Sequence, residues 1–127
     1  MARLKPRPTD SELAILRVLW ERGASTVRHV HEALADTRET GYTTTLKLMQ
    51  IMADKGLVTR NETARTHVYS AIAGQEQTQR QLVQDLVDRA FGGSAAQLVL
   101  RALRAEDATD AELKEIRKLI DDYREKR

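Results

Sequence analysis

Residues 41–58, Gly41-Tyr42-Thr43-Thr44-Thr45-Leu46-Lys47-Leu48-Met49-Gln50-Ile51-Met52-Ala53-Asp54-Lys55-Gly56-Leu57-Val58, decide how this chain is read. At about 100° per residue, Leu46, Met49, Met52 and Ala53 fall on one arc of a helix, the expected core face. The opposite arc carries Thr44, Lys47, Leu48, Ile51 and Lys55. Lysine reaches phosphate or guanine, threonine bonds base edges or phosphate, and aliphatic tips touch thymine methyls, so this face suits a major groove. Thr43 or Thr44 is the expected N-cap, leaving backbone N–H groups that favour a phosphate. Gly56 is placed to end the helix in a left-handed conformation. A solvated outer face is the plainer alternative, and the flanking sequence bears on the choice.

Downstream of Gly56 the periodicity drops to two. Residues 57–61 read as a strand, 61–65 as a turn, and 66–72 as a returning strand. Arg60, Arg65 and His67 make this hairpin basic. Arg65 at its tip is placed to meet DNA backbone or minor groove. Upstream, Thr9 and Glu12 have capping-box spacing and open a helix over 10–22. Leu13, Leu16, Val18, Leu19 and Trp20 are its apolar residues, and Gly23 stops it. Residues 24–27 hold a brief strand and a cap. A second helix over 27–36 buries Val27, Val30, Ala33 and Leu34. Three helices followed by a basic hairpin describe a winged helix-turn-helix. Ahead of them, Arg3, Lys5 and Arg7 alternate with Leu4, Pro6 and Pro8, giving either a basic arm on DNA or a frayed terminus.

The back half reads as three more helices, over 75–91, 95–105 and 110–126. Their apolar stripes include Leu82, Leu86 and Phe91, then Leu98 and Leu103, then Leu113, Ile116, Leu119, Ile120 and Tyr123. A lobe this small is poor at sustaining its own core. The stripes are therefore expected to bury against a second copy, with packing back on the front lobe as the alternative. The expected organisation is mainly α with a small β-hairpin. It comprises a winged-helix DNA-binding domain over 1–73 and a helical dimerisation domain over 74–127.

Composition agrees. The chain has 127 residues, a net charge of +2 and no cysteine. Residues 1–73 hold 11 Lys and Arg against 8 Asp and Glu, and residues 74–127 hold 10 against 11, so the basic excess lies with the groove helix. Absence of cysteine removes disulfides, thiolate metal sites and cysteine nucleophiles, and fits a cytoplasmic protein. No apolar run approaches the roughly 20 residues of a membrane span. His29, His31 and His67 form no ligand pattern, and no nucleophile–base pair or phosphate-cradling glycine loop occurs. No catalytic residue, metal or cofactor is expected. Winged helices also bind proteins, so an interaction module without sequence-specific DNA binding is the second functional class.

The chain resembles the BlaI/MecI group of penicillinase repressors, which includes copper-responsive members. The carriers are Thr9-Asp10-Ser11-Glu12-Leu13 leading to Val18-Leu19-Trp20, and Thr26 through Leu34. They continue with Tyr42-Thr43-Thr44, Lys55-Gly56-Leu57-Val58, Val68-Tyr69-Ser70 and Phe91-Gly92-Gly93-Ser94. The resemblance implies a homodimeric repressor on an inverted-repeat DNA operator. By position it puts Tyr42, Thr43, Thr44, Lys47 and Leu48 at the groove and Arg65 on the wing. Three departures accompany it. Arg101-Ala102 stands where the penicillinase branch has a cleavable Asn-Phe bond, leaving the inducing protease or effector unidentified. The paired cysteines of the copper branch are missing. Ile51 stands where family members often carry a basic residue.

Overall fold

Thr9 starts the first helix as its spacing predicts. Its hydroxyl accepts from the Glu12 N–H at 3.2 Å, and the Glu12 carboxylate accepts from the Thr9 N–H at 2.8 Å. This computed structural model describes residues 7–105 and 108–126; Arg3 and Lys5 of the expected arm lie outside them. Helix α1 spans Asp10–Arg22 and stops at Gly23. Strand β1 (Ser25–Thr26) leads into α2 (Val27–Leu34), where the Thr26 hydroxyl accepts from the His29 N–H at 3.1 Å. Helix α2 ends two residues earlier than expected. The Ala35 N–H donates to the Glu32 carbonyl at 3.3 Å and the Thr37 N–H to the Leu34 carbonyl at 3.1 Å, so the helical ladder gives way to bonds three residues back and residues 35–37 form a turn.

Helix α3 is Tyr42–Lys55, and its N-cap is Gly41, not Thr43 or Thr44. Gly41 has extended backbone and makes no side-chain cap bond. Its carbonyl takes the Thr45 N–H at 3.1 Å and the Thr45 hydroxyl at 3.3 Å, so the helix starts ahead of the threonines. Gly56 closes α3 in the left-handed region (φ 83°, ψ 15°), where a Cβ is disfavoured. Strands β2 (Val58–Asn61) and β3 (Val68–Ala71) form the hairpin, pairing Arg60 with Tyr69 and Asn61 with Val68. Two strands alone are marginal, and β1 supplies a third. The antiparallel order is β1-β3-β2, with Ser25 opposite Tyr69.

The core of this part joins Ile15, Leu16, Val18 and Leu19 of α1 to Val27, Val30 and Leu34 of α2. It also takes in Met49 and Met52 of α3, Leu57, Val58 and Tyr69. Ile15 was not expected there. Trp20 packs against this cluster and its indole N–H donates to the Ala73 carbonyl at 2.8 Å. One buried charge also lies inside. The Glu12 carboxylate, its side chain 2% exposed, accepts from the Lys55 ammonium at 2.9 Å through both oxygens.

The chain divides into two compact units, with the boundary between Leu82 and Val83 inside α4 (Gln75–Ala90). The second unit continues through Gly92 and Gly93, both at positive φ, to α5 (Ala95–Ala105) and α6 (Asp110–Glu125). The Gly93 N–H donates to the Val87 carbonyl at 2.9 Å as α4 ends. Ser94 caps α5 by accepting from the Gln97 N–H at 3.2 Å. Thr109 and Glu112 form a capping box that opens α6, with the same spacing as Thr9 and Glu12. In this unit Val87 alone is buried among the described residues, and α6 buries none. No helix among the described residues is long and apolar enough to cross a membrane.

Candidate nucleic-acid interface

Helix α3 turns a polar face outward, but not quite the face its hydrophobic pattern suggests. Thr43, Thr44, Lys47, Gln50, Ile51 and Asp54 are exposed. Leu48 is half-buried against the core, and Lys55 is engaged with Glu12. Thr45, absent from the expected core face, is buried, with its hydroxyl satisfied by Gly41. The buried face of α3 therefore centres on Thr45, Met49 and Met52, shifted round the helix from the expected arc. The exposed centre line runs Thr43, Lys47, Gln50, Asp54, a spacing of four, three and four that keeps residues on one stripe. Gln50 and Asp54 were missed because apolar periodicity gives Thr45 no weight. The available signal was that a helical threonine can bond the carbonyl four residues back and so be buried without penalty.

Tyr42, the first residue of α3, is held by α2. The Arg28 guanidinium lies 5.8 Å from its ring centroid, and the His31 ring meets it edge-on at 5.9 Å. Both geometries are attractive, through the negative ring face and the positive ring edge. Tyr42 remains 43% exposed. Helices α2 and α3 therefore meet through two contacts on one aromatic at the corner between them.

On the wing, the Asn61 side-chain oxygen accepts from both the Thr63 N–H (2.9 Å) and the Thr63 hydroxyl (2.7 Å), pinning the turn. Arg65 and His67 beyond it are exposed. Arg60 is engaged elsewhere, 2.6 Å from Glu62. A hydrogen bond with Tyr69, then the Glu62 charge, hold its guanidinium above the ordinary arginine value. In the core, burial works to raise the Glu12 carboxyl. Hydrogen bonds from Thr9 and Lys55 and the Lys55 charge outweigh burial, leaving it below the ordinary carboxylate value.

The residues expected at a dimer contact divide by exposure. Leu86, Leu113, Leu119, Ile120 and Tyr123 are exposed, while Leu82, Phe91, Leu98, Leu103 and Ile116 are half-buried. Among the described residues no group of three His, Cys, Asp or Glu side chains gathers as a metal site.

The sequence is similar to that of known transcriptional regulators. The transcriptional regulator BlaI of Mycobacterium tuberculosis, from strain CDC 1551 / Oshkosh and from strain ATCC 25618 / H37Rv, is 36% identical over 101 residues. That alignment covers 79% of this chain and 72% of the relative. The solution structure of the DNA-binding domain of the repressor BlaI superposes with a TM-score of 0.52 at 20% identity. It covers 60% of this chain and 93% of that one. The monomeric form of Bacillus licheniformis BlaI, solved in complex with the blaP half-operator, gives 0.51 at the same identity and coverage. These two structures establish the winged-helix fold. A model of the penicillinase repressor family matches residues 8–122, from just before the first capping box to well into α6, and the chain belongs to that family.

Proposed function

We propose that this chain is a sequence-specific transcriptional repressor that binds double-stranded DNA as a homodimer on an inverted-repeat operator. The observation that carries the reading is the exposed stripe of α3 centred on Lys47, presented by a winged helix in a chain of the penicillinase repressor family. A relative on the same fold was solved with a half-operator. Residues 1–73 bind DNA and residues 74–127 dimerise. The α3 stripe enters the major groove, where Thr43, Thr44 and Lys47 meet phosphate and base edges. Ile51 and the exposed edge of Leu48 offer methyl groups to thymine. Tyr42, braced by Arg28 and His31, borders the groove at the start of α3. Arg65 on the wing meets the backbone or minor groove. The exposed apolar residues of α4 to α6 pair with a second copy, setting two reading helices on opposite half-sites. Repression follows from occupying the promoter, in the cytoplasm.

The test is gel-shift binding of the pure protein to its own upstream region, with random competitor DNA and varied salt. A discrete complex that survives competitor and weakens steeply with salt is expected. Absence of any complex at low salt would reject the reading in favour of a protein-interaction module.

A further inference from the structure

We propose that Gln50 is a specificity-determining residue that selects an adenine at the operator position next to the one met by Lys47. The proposal rests on the DNA-binding reading of α3 and adds a base preference to it.

The argument is one of which side chains on α3 are available. Thr45 bonds the Gly41 carbonyl, Lys55 bonds Glu12, and Tyr42 is held by Arg28 and His31. Gln50 is exposed, and its amide has no hydrogen-bond partner among the described residues. It lies on the centre line of the exposed stripe, one turn beyond Lys47. A glutamine amide holds a donor and an acceptor in one plane, matching the N6 donor and N7 acceptor that adenine shows in the major groove. Lysine, with donors only, suits the guanine acceptors. Three residues of helix rise by about 4.5 Å, close to the roughly 3.4 Å of one base-pair step. Lys47 and Gln50 therefore meet neighbouring pairs. Asp54, four residues further on the same stripe, repels phosphate, so the last turn of α3 stands off the backbone and base contact ends at Gln50 and Ile51.

The experiment binds the full-length protein to a pool of duplexes with a randomised core and sequences what is retained. Wild type, Gln50→Ala and Gln50→Glu are compared. The wild type is expected to prefer adenine at one position of each half-site. Gln50→Ala should lose about tenfold preference at that position alone. Gln50→Glu, which accepts from the cytosine amino group, should move the preference there to cytosine. Unchanged thermal unfolding would confirm that both exposed variants fold. Profiles identical to wild type, or an even loss at every position as from a phosphate contact, would overturn the proposal while leaving the DNA reading in place. A wild type that retains no sequence preferentially would overturn both.

Discussion

Glu12 shows how one residue joins local and long-range structure. It caps α1 through Thr9 and bonds the last residue of α3 through Lys55, so the two ends of the helical scaffold close on one carboxylate. An unpaired charge here would be expensive, and pairing with a partly exposed lysine tempers the gain. Glu12→Gln keeps the capping geometry, because glutamine serves equally at that position, but removes the charge. It should destabilise the fold by about 1–2 kcal/mol at pH 7, read from denaturant midpoints. The Glu12 carboxyl sits below its ordinary value of 4.5 in the folded state. Its contribution is therefore fully present above that value and is lost as pH falls through the lowered one. The gap between wild type and Glu12→Gln should narrow only below about pH 4.5. A gap that stays constant into strong acid would mean the charge contributes nothing. Tyr42 offers a second case. Arg28→Ala removes one of its two ring contacts and a cation beside α3. Operator affinity should fall by about three- to tenfold with little loss of stability, checked by titration with labelled duplex.

Helix α3 and the wing differ in how plainly the sequence announces them. Gly56 marks the end of α3 clearly, because its left-handed backbone excludes nearly every other residue from that corner. Gly56→Ala meets no neighbouring atom within 4 Å, so its effect is backbone strain alone. A loss of about 1 kcal/mol is expected from thermal unfolding, with the operator sequence preference intact. The capping boxes at Thr9 and Thr109 were equally legible, since each is a local reaction between side chain and backbone. The rotation of α3 was not legible from its apolar residues. It shows in Thr45, whose hydroxyl is satisfied locally by the Gly41 carbonyl four residues back, and in Lys55, whose partner Glu12 lies 43 residues away in sequence. The Thr45 bonds to the Gly41 carbonyl also set the start of α3 ahead of the threonines, whereas Ile15 is an aliphatic core residue of α1 that the expected stripe left out. The third strand was visible as a short extended stretch, but its pairing with β3 depends on residues more than 40 apart in sequence. Periodicity locates a helix; polar partners decide which way it faces.

The two compact units differ in how much each buries. The first has a packed core of aliphatic side chains around Tyr69, whereas the second leaves large apolar side chains in water, Tyr123 at 70% and Leu119 at 61% exposure. Helix α6 illustrates the imbalance. It has a complete capping box and hydrophobic residues spaced for one stripe, yet none of these is fully buried in the single chain and only Ile116 is half-buried. Burying a leucine or isoleucine side chain is worth about 1.5–3 kcal/mol, so several such residues on each of two copies would favour the proposed dimer, offset by the entropy lost on association. The proposed assembly would also change DNA binding. Two reading helices fixed on one body bind an inverted repeat with far higher affinity than one helix on a half-site, because the second contact is made at high effective concentration. Leu119→Asp tests both claims together. A charge on that exposed stripe leaves the first unit's core untouched. The variant should therefore keep its helical circular dichroism and sediment as a monomer where the wild type sediments as a dimer. Its affinity for an inverted repeat should drop at least tenfold, toward that for an isolated half-site, and its salt slope should fall by about half as phosphate contacts are halved. A variant that still sediments as a dimer would move the contact away from α6. A monomer with undiminished affinity for the inverted repeat would show that pairing through this stripe is not what sets the two half-sites together.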